Sequence, residues 1–90
     1  MRALVETTAF RKDLKRADRR GHDLEKLGAI IKKLQQGETL PRSNRAHPLK
    51  GEWKGFWECH VAPDWLLIYK VTNEKVLLAR TGTHADLFAR

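Results

Sequence analysis

Ninety residues carrying 18 Lys and Arg, 11 Asp and Glu, and a net charge of +7 make a basic chain sized for one domain over residues 1–90. The single cysteine, Cys59, excludes an internal disulfide. No apolar run reaches the ~18–20 residues that cross a bilayer, and the N-terminus lacks a signal-peptide pattern, so a cytoplasmic protein with no membrane partner is expected.

In chain order, Ala3 to Thr7 reads as a short strand. Thr7 or Thr8 can cap a helix, because its oxygen accepts from the free N–H groups of a first turn. Phe10, Leu14 and Ala17 recur at helical spacing, while Arg11, Lys12, Lys15, Arg16, Arg19 and Arg20 fill the other faces and Gly21 supplies a stop. Asp23 caps a second helix with Leu24, Leu27, Ile30, Ile31 and Leu34 along one stripe, ending near Gly37. The two segments, joined by R-G-H-D, form an antiparallel helical hairpin in which His22 is read as exposed polar surface. Charge is concentrated here: residues 1–45 hold twelve Lys and Arg against six acids, residues 46–90 six against five. Such a surplus favours polyanionic partners, although a solvated surface carries the same charge.

Between Thr39 and Pro48 the period is lost, and Pro41 and Pro48 bracket a polar connection. The period then becomes two. Phe56 to Val61 is a strand with Trp57, Cys59 and Val61 on one face and Phe56, Glu58 and His60 on the other. A-P-D turns the chain at residues 62–64. Trp65 to Val71 is apolar on both faces, as a central strand should be, and Val76 to Thr81 follows as a third antiparallel strand. The order strand, helix, helix and three antiparallel strands (β-α-α-β-β-β) describes a compact α+β domain with helices on one face of a sheet.

Three of the four histidines, His47, His60 and His84, come from separate elements of the second half, with Glu58, Asp64 and Arg80 nearby in the pattern. Imidazoles titrate near neutrality and can supply both base and acid, while a guanidinium grips phosphate with two hydrogen bonds. That set matches metal-free RNA cleavage, in which a 2′-hydroxyl attacks the adjacent phosphorus and leaves a 2′,3′-cyclic phosphate and a 5′-hydroxyl. From spacing alone, unrelated polar surface is the favoured reading and catalysis the minority one. A zinc site is disfavoured, because Cys59 and His60 face opposite ways and no Cys-x-x-Cys or His-Glu-x-x-His occurs. No metal or cofactor is expected. Cys59 is expected in the core and the three tryptophans in packing. Phe88 either clamps a base or covers the core.

The run H-P-L-K-G-E-W-K-G-F-W-E-C-H-V-A-P-D-W-L-L-I-Y-K, from His47 to Lys70, and the ending R-T-G-T-H-A-D-L-F closely resemble the YafQ type of toxin in the RelE/ParE superfamily. The resemblance implies a RelE-like fold and a type II toxin, an endoribonuclease that cuts messenger RNA in the ribosomal A site and is neutralised by a cognate antitoxin. It implies a catalytic group at His47, His60, Asp64 and His84, with Arg80 and Phe88 in phosphate contact and base placement. Within that frame His84 is assigned as general acid, His47 or His60 as base, and Asp64 as the group that orients an imidazole. Lys50 and Lys54 would hold flanking phosphates. The basic residues Arg11, Lys12, Lys15, Arg16, Arg19 and Arg20 would grip ribosomal RNA. Glu58 departs from the type, standing where an aspartate is expected. The rival functions are a ParE-like toxin that inhibits gyrase and a non-catalytic nucleic-acid-binding module.

Overall fold

In a computed structural model, which describes residues 1–88, five strands form one sheet in the order β1-β5-β4-β3-β2. The strands are β1 (Ala3–Glu6), β2 (His47–Pro48), β3 (Trp57–Ala62), β4 (Trp65–Val71) and β5 (Lys75–Gly82). The helices are α1 (Thr8–Arg19), α2 (Leu24–Gln35) and α3 (His84–Phe88). Among the described residues no helix is long and apolar enough to cross a membrane.

The helical hairpin begins and ends where its capping chemistry requires. Thr7 Oγ1 accepts from the Phe10 N–H at 2.9 Å, and Asp23 Oδ1 accepts from Glu25 at 3.0 Å. Each such cap stabilises its helix by roughly 1 kcal/mol. Gly21 and Gly37 adopt positive φ values of 78° and 73° beyond the two helix ends, where a side chain would be strained. Phe10 and Ala17 of α1 and Leu27, Ile30 and Leu34 of α2 turn inward against Cys59, Val61, Leu67, Tyr69, Val76 and Leu78 of the sheet. Alternation along β3 and β4 therefore sends every second side chain to the opposite face, away from the helices. His22 is not free surface: it is half-buried, with its ring 4.6 Å from that of Trp65. Trp57 departs from the packing expected of it, being 42% exposed at the margin of the core.

Three features of the topology differ from the sequence reading. The first strand joins the sheet in parallel, with Ala3 opposite Lys75 and Glu6 opposite Leu78, beside an otherwise antiparallel meander. Its pairing stops at Leu78, and α1 takes over the exposed rim of β5: Thr7 Oγ1 donates to the Ala79 carbonyl, and Asp13 accepts the Thr81 N–H at 3.1 Å. In addition, the connection between Thr39 and Pro48 contains a two-residue strand, β2, and the tail after β5 is helical.

Candidate active site

The register builds the site. Antiparallel partners project to the same face, and pairing runs His47–Glu58, Glu58–Ile68 and Ile68–Arg80 in one cross-strand row. The next row on that face is His60–Leu66–Gly82. Leu66 and Ile68 are completely buried and form its apolar floor. His47, Glu58, His60 and Arg80 therefore lie on the sheet face away from the helical hairpin. His47 is the diagonal neighbour of His60, a relationship that spaces Cβ atoms by about 7–8 Å or less. His47 and Arg80, three strands apart, stand on the order of 15 Å from each other at the backbone.

The turn between β3 and β4 and the first residue of α3 bring a second histidine to His60. Asp64 Oδ1 accepts both the His84 backbone N–H, at 3.1 Å, and the ring Nδ1–H, at 2.8 Å. These two bonds to one carboxylate oxygen fix the ring and set a proton on Nδ1, with Nε2 outside the contact. Hydrogen bonding from His84 in turn draws the Asp64 carboxyl below its usual range. The His60 and His84 ring centroids lie 6.0 Å apart, and Phe88 sits 6.5 Å from His84, one helical turn on. His60 Nδ1 faces the Pro63 carbonyl at 3.3 Å, and Asn44 donates to the His60 carbonyl at 2.8 Å. A carbonyl only accepts, so this contact puts the His60 proton on Nδ1 and leaves Nε2 with a lone pair in the neutral ring.

His47 is held differently. Its Nδ1 lies 2.9 Å from the Arg45 carbonyl and its Nε2 3.5 Å from Glu58 Oε1. The left-handed backbone of Arg45, φ 50°, aims that carbonyl. Glu58 is almost fully buried. Beside it, burial first and the Glu58 charge second push the Cys59 thiol up to about 12, so Cys59 is no nucleophile at neutral pH.

Arg80 is committed to a partner that the sequence reading missed. Its Nε donates to Asp13 Oδ2 at 2.6 Å and its Nη2 to Oδ1 at 3.0 Å. Arg16 adds a further bond at 2.8 Å. Asp13 is 3% exposed, so these cations and the Thr81 N–H replace the water it has lost. Five N–H donors belong to each guanidinium; Asp13 takes two from Arg80, and those remaining suffice for a phosphate. Asp13 had a legible signal, since it lies on the apolar stripe between Phe10 and Ala17 where an acid has no business unless it is paired.

Lys50 and Lys54 are exposed on either side of the turn Gly51–Trp53. Of the six basic residues of the hairpin, Arg11, Lys12, Lys15, Arg19 and Arg20 are exposed, with Arg11 3.7 Å from Glu6. Arg20, its side chain 44% exposed, and the half-buried Arg16 also reach acids, Arg16 Asp13 and both Asp86. Among the described residues no three His, Cys, Asp or Glu side chains converge in the manner of a metal site.

A basic helical hairpin backing a sheet whose open side carries three histidines, two carboxylates and a guanidinium is the architecture of small α+β toxins of the RelE kind. Residues 2–89 match the family described as "Bacterial toxin of type II toxin-antitoxin system, YafQ", and the chain belongs to that family. It is 45% identical over 80 residues to the mRNA interferase toxin YafQ of Escherichia coli K12, covering 88% of this chain and 87% of that one. The crystal structure of YafQ from E. coli BL21(DE3) superimposes with a TM-score of 0.92 at 40% identity, covering 98% and 99% of the two chains. YafQ in the E. coli DinJ–YafQ toxin–antitoxin complex gives 0.89 at 42% identity, covering 97% of each.

Proposed function

We propose that this YafQ-family toxin is an mRNA interferase that cuts messenger RNA on the ribosome without a metal ion. The observation that carries the mechanism is the Asp64–His84–His60 arrangement, two imidazoles 6.0 Å apart with one braced by a carboxylate. His60 Nε2 takes the proton of a ribose 2′-hydroxyl. The freed oxygen attacks phosphorus, the bond to the 5′-oxygen breaks, and His84 in its imidazolium form, with Nδ1–H on Asp64, gives its Nε2 proton to this leaving oxygen. The ends left are a 2′,3′-cyclic phosphate and a 5′-hydroxyl. Arg80, made rigid by Asp13, offsets the charge that builds on the phosphoryl oxygens, and His47, held beside Glu58 and on the order of 15 Å from Arg80 at the backbone, meets a neighbouring phosphate of the message. Phe88 stacks on a base next to the cut, and Lys50 and Lys54 hold flanking phosphates.

The exposed cations Arg11, Lys12, Lys15 and Arg19 lie on the helical hairpin, on the other side of the sheet from this group. They are placed to hold ribosomal RNA while the open face meets the message. An acidic antitoxin is the partner for the same basic surplus. The 45%-identical E. coli relative bears the name mRNA interferase, which supports action on messenger, and a close structural neighbour is a toxin in complex with its antitoxin, which supports an antitoxin partner.

The test is cleavage of messenger in programmed ribosomes. Scission is expected to survive EDTA and to vanish when the ribose at the cut site is replaced by deoxyribose, because the nucleophile is then missing. Continued cutting of the deoxy substrate rules the mechanism out.

A further inference from the structure

Asp86 occupies an unusual position on the short helix that carries His84. Its Oδ2 accepts the Thr83 N–H at 2.9 Å while Thr83 Oγ1 accepts the Asp86 N–H at 3.1 Å, a reciprocal cap that closes on either side of His84. The same carboxylate receives Arg20 Nη1 at 2.7 Å and Nη2 at 3.3 Å, and Arg16 Nε lies 3.7 Å away. Gly82 makes this approach possible. A Cβ built there would come within 2.9 Å of both Asp86 Cβ and Oδ2, and 3.2 Å of Arg16 Nη2. The Asp86 carboxyl is only 14% exposed and is held far below the usual carboxylate range, chiefly by Arg20.

Helix α3 has five residues, well short of the ~12–15 at which an isolated helix becomes even marginal. Its geometry is therefore set from outside, and the tie to the end of α1 is charged and bidentate. His84 sits one residue past Thr83, so a shift of the cap displaces the ring from Asp64 and from His60.

We propose that Asp86 and Arg20 form a latch that sets the place of His84, making Asp86 a positioning residue for RNA cleavage and assigning Arg16 and Arg20 to that latch rather than to ribosomal RNA. This rests on the reading of His84 as a group that acts on the substrate. It also separates two kinds of basic residue on one helix: Lys12, Lys15 and Arg19 face solvent, whereas Arg16 and Arg20 face an acid of the active-site helix.

The test compares D86N, R20Q and the double variant in cleavage on programmed ribosomes, with R19Q as the control for ribosome contact. D86N keeps an oxygen to accept the Thr83 N–H, and R20Q leaves the cap untouched, so neither removes the helix start. Each single variant is expected to lower kcat roughly 10- to 100-fold with KM for ribosomes unchanged, the size of loss that a misplaced catalytic group produces. The double variant should be no worse than the poorer single one, and R20K, which keeps the charge but not the two-pronged grip, should fall between R20Q and the parent. R19Q should raise KM instead. If R20Q raises KM, leaves kcat intact and multiplies the effect of D86N, Arg20 holds RNA and the latch assignment fails.

A second readout needs no RNA. By carbon-detected NMR titration of the free protein, Asp64 should titrate below an ordinary aspartate in the parent and move back toward the ordinary value in R20Q as His84 drifts away; R20Q carries this readout because D86N also removes the Asp86 charge that raises Asp64. An Asp64 titration unchanged in R20Q also overturns the latch. A parent that shows the coupled Asp64 shift but cuts no message refutes the nuclease reading and leaves the latch standing.

Discussion

Glu58 faces His47 across the β2–β3 pairing, its Oε1 3.5 Å from Nε2, while the carboxylate itself is shut away from solvent. Sheet register imposes the encounter, because the two residues are direct partners on one face. The longer side chain at this position, a departure from the expected aspartate, still meets the imidazole. Changing Glu58 to Gln keeps the shape but removes the charge beside the ring. The expected result is a fall in kcat on the order of tenfold with little change in the melting temperature. Cys59 reports the same change independently. Since Glu58 contributes to raising the thiol and burial contributes more, the variant's thiol should titrate lower than the parent's yet stay above an ordinary cysteine. A rate unaffected by the substitution would remove Glu58 from the site.

His84 stands at the other edge of the cluster, and its substitution tests the acid role directly. His84→Gln retains a polar side chain but cannot deliver a proton at neutral pH. It is expected to lower kcat by roughly 10²–10⁴-fold, the range for losing a general acid, and to be tolerated by a growing host that lacks antitoxin. If cleavage by this variant recovers on a substrate whose 5′-oxygen is replaced by sulfur, a leaving group that needs no acid, the assignment is upheld. An equal loss on both substrates would place the role of His84 elsewhere.

How far the site could be read in advance depended on the range of the interactions that build it. The hairpin was legible because local chemistry dictates it: Thr7 and Asp23 cap, Gly21 and Gly37 stop, and the stripes between them have period 3.6. Strand β4 was legible from Trp65 to Val71 because an apolar run on both faces fits only the middle of a sheet. Strand β2 was not, since two residues carry no period at all. Helix α3 was missed for a related reason. Five residues do not complete a recognisable stripe, and what fixes them is Arg20, which lies 66 positions away in the chain. The parallel pairing of β1 with β5 likewise has no local signature. Asp86 had no such signal, because an acid beside a chain end reads as surface until its partners are seen, whereas Asp13 stood out on the apolar stripe of α1 without revealing which cation it meets.

Asp13 carries the heaviest structural load of any polar group near the site. It accepts from Arg80 twice, from Arg16 and from the Thr81 N–H, and it is almost fully enclosed. Asp13→Ala leaves two guanidinium groups without their anion and a strand N–H without an acceptor. The expected loss of stability is roughly 3 kcal/mol, the low end for breaking a buried pair, because Arg80 keeps about a quarter of its side chain in solvent. Urea unfolding measures it. A loss below about 0.5 kcal/mol would mean that water replaces these bonds at no cost, as at ordinary surface sites.

Acid should reveal the carboxylates in a set order. Asp64 and Asp86 are both lowered from an ordinary value of 3.8, Asp64 by His84 and Asp86 chiefly by Arg20. A carboxyl with a depressed folded-state value stabilises the fold fully above its unfolded value and loses that contribution as pH falls through the folded one. Stability from these two groups is therefore intact above about pH 5 and declines below the unfolded value near 3.8. Asp86 has the larger depression, so it dominates the slope. D86N, which cannot titrate, should be less stable than the parent near neutrality, with the gap narrowing as the parent's Asp86 becomes protonated. Urea midpoints collected from neutral pH down to acid follow the convergence. Parallel curves, separated by the same interval at every pH, would show that the Asp86 charge adds nothing to the folded state and that Arg20 holds it without consequence.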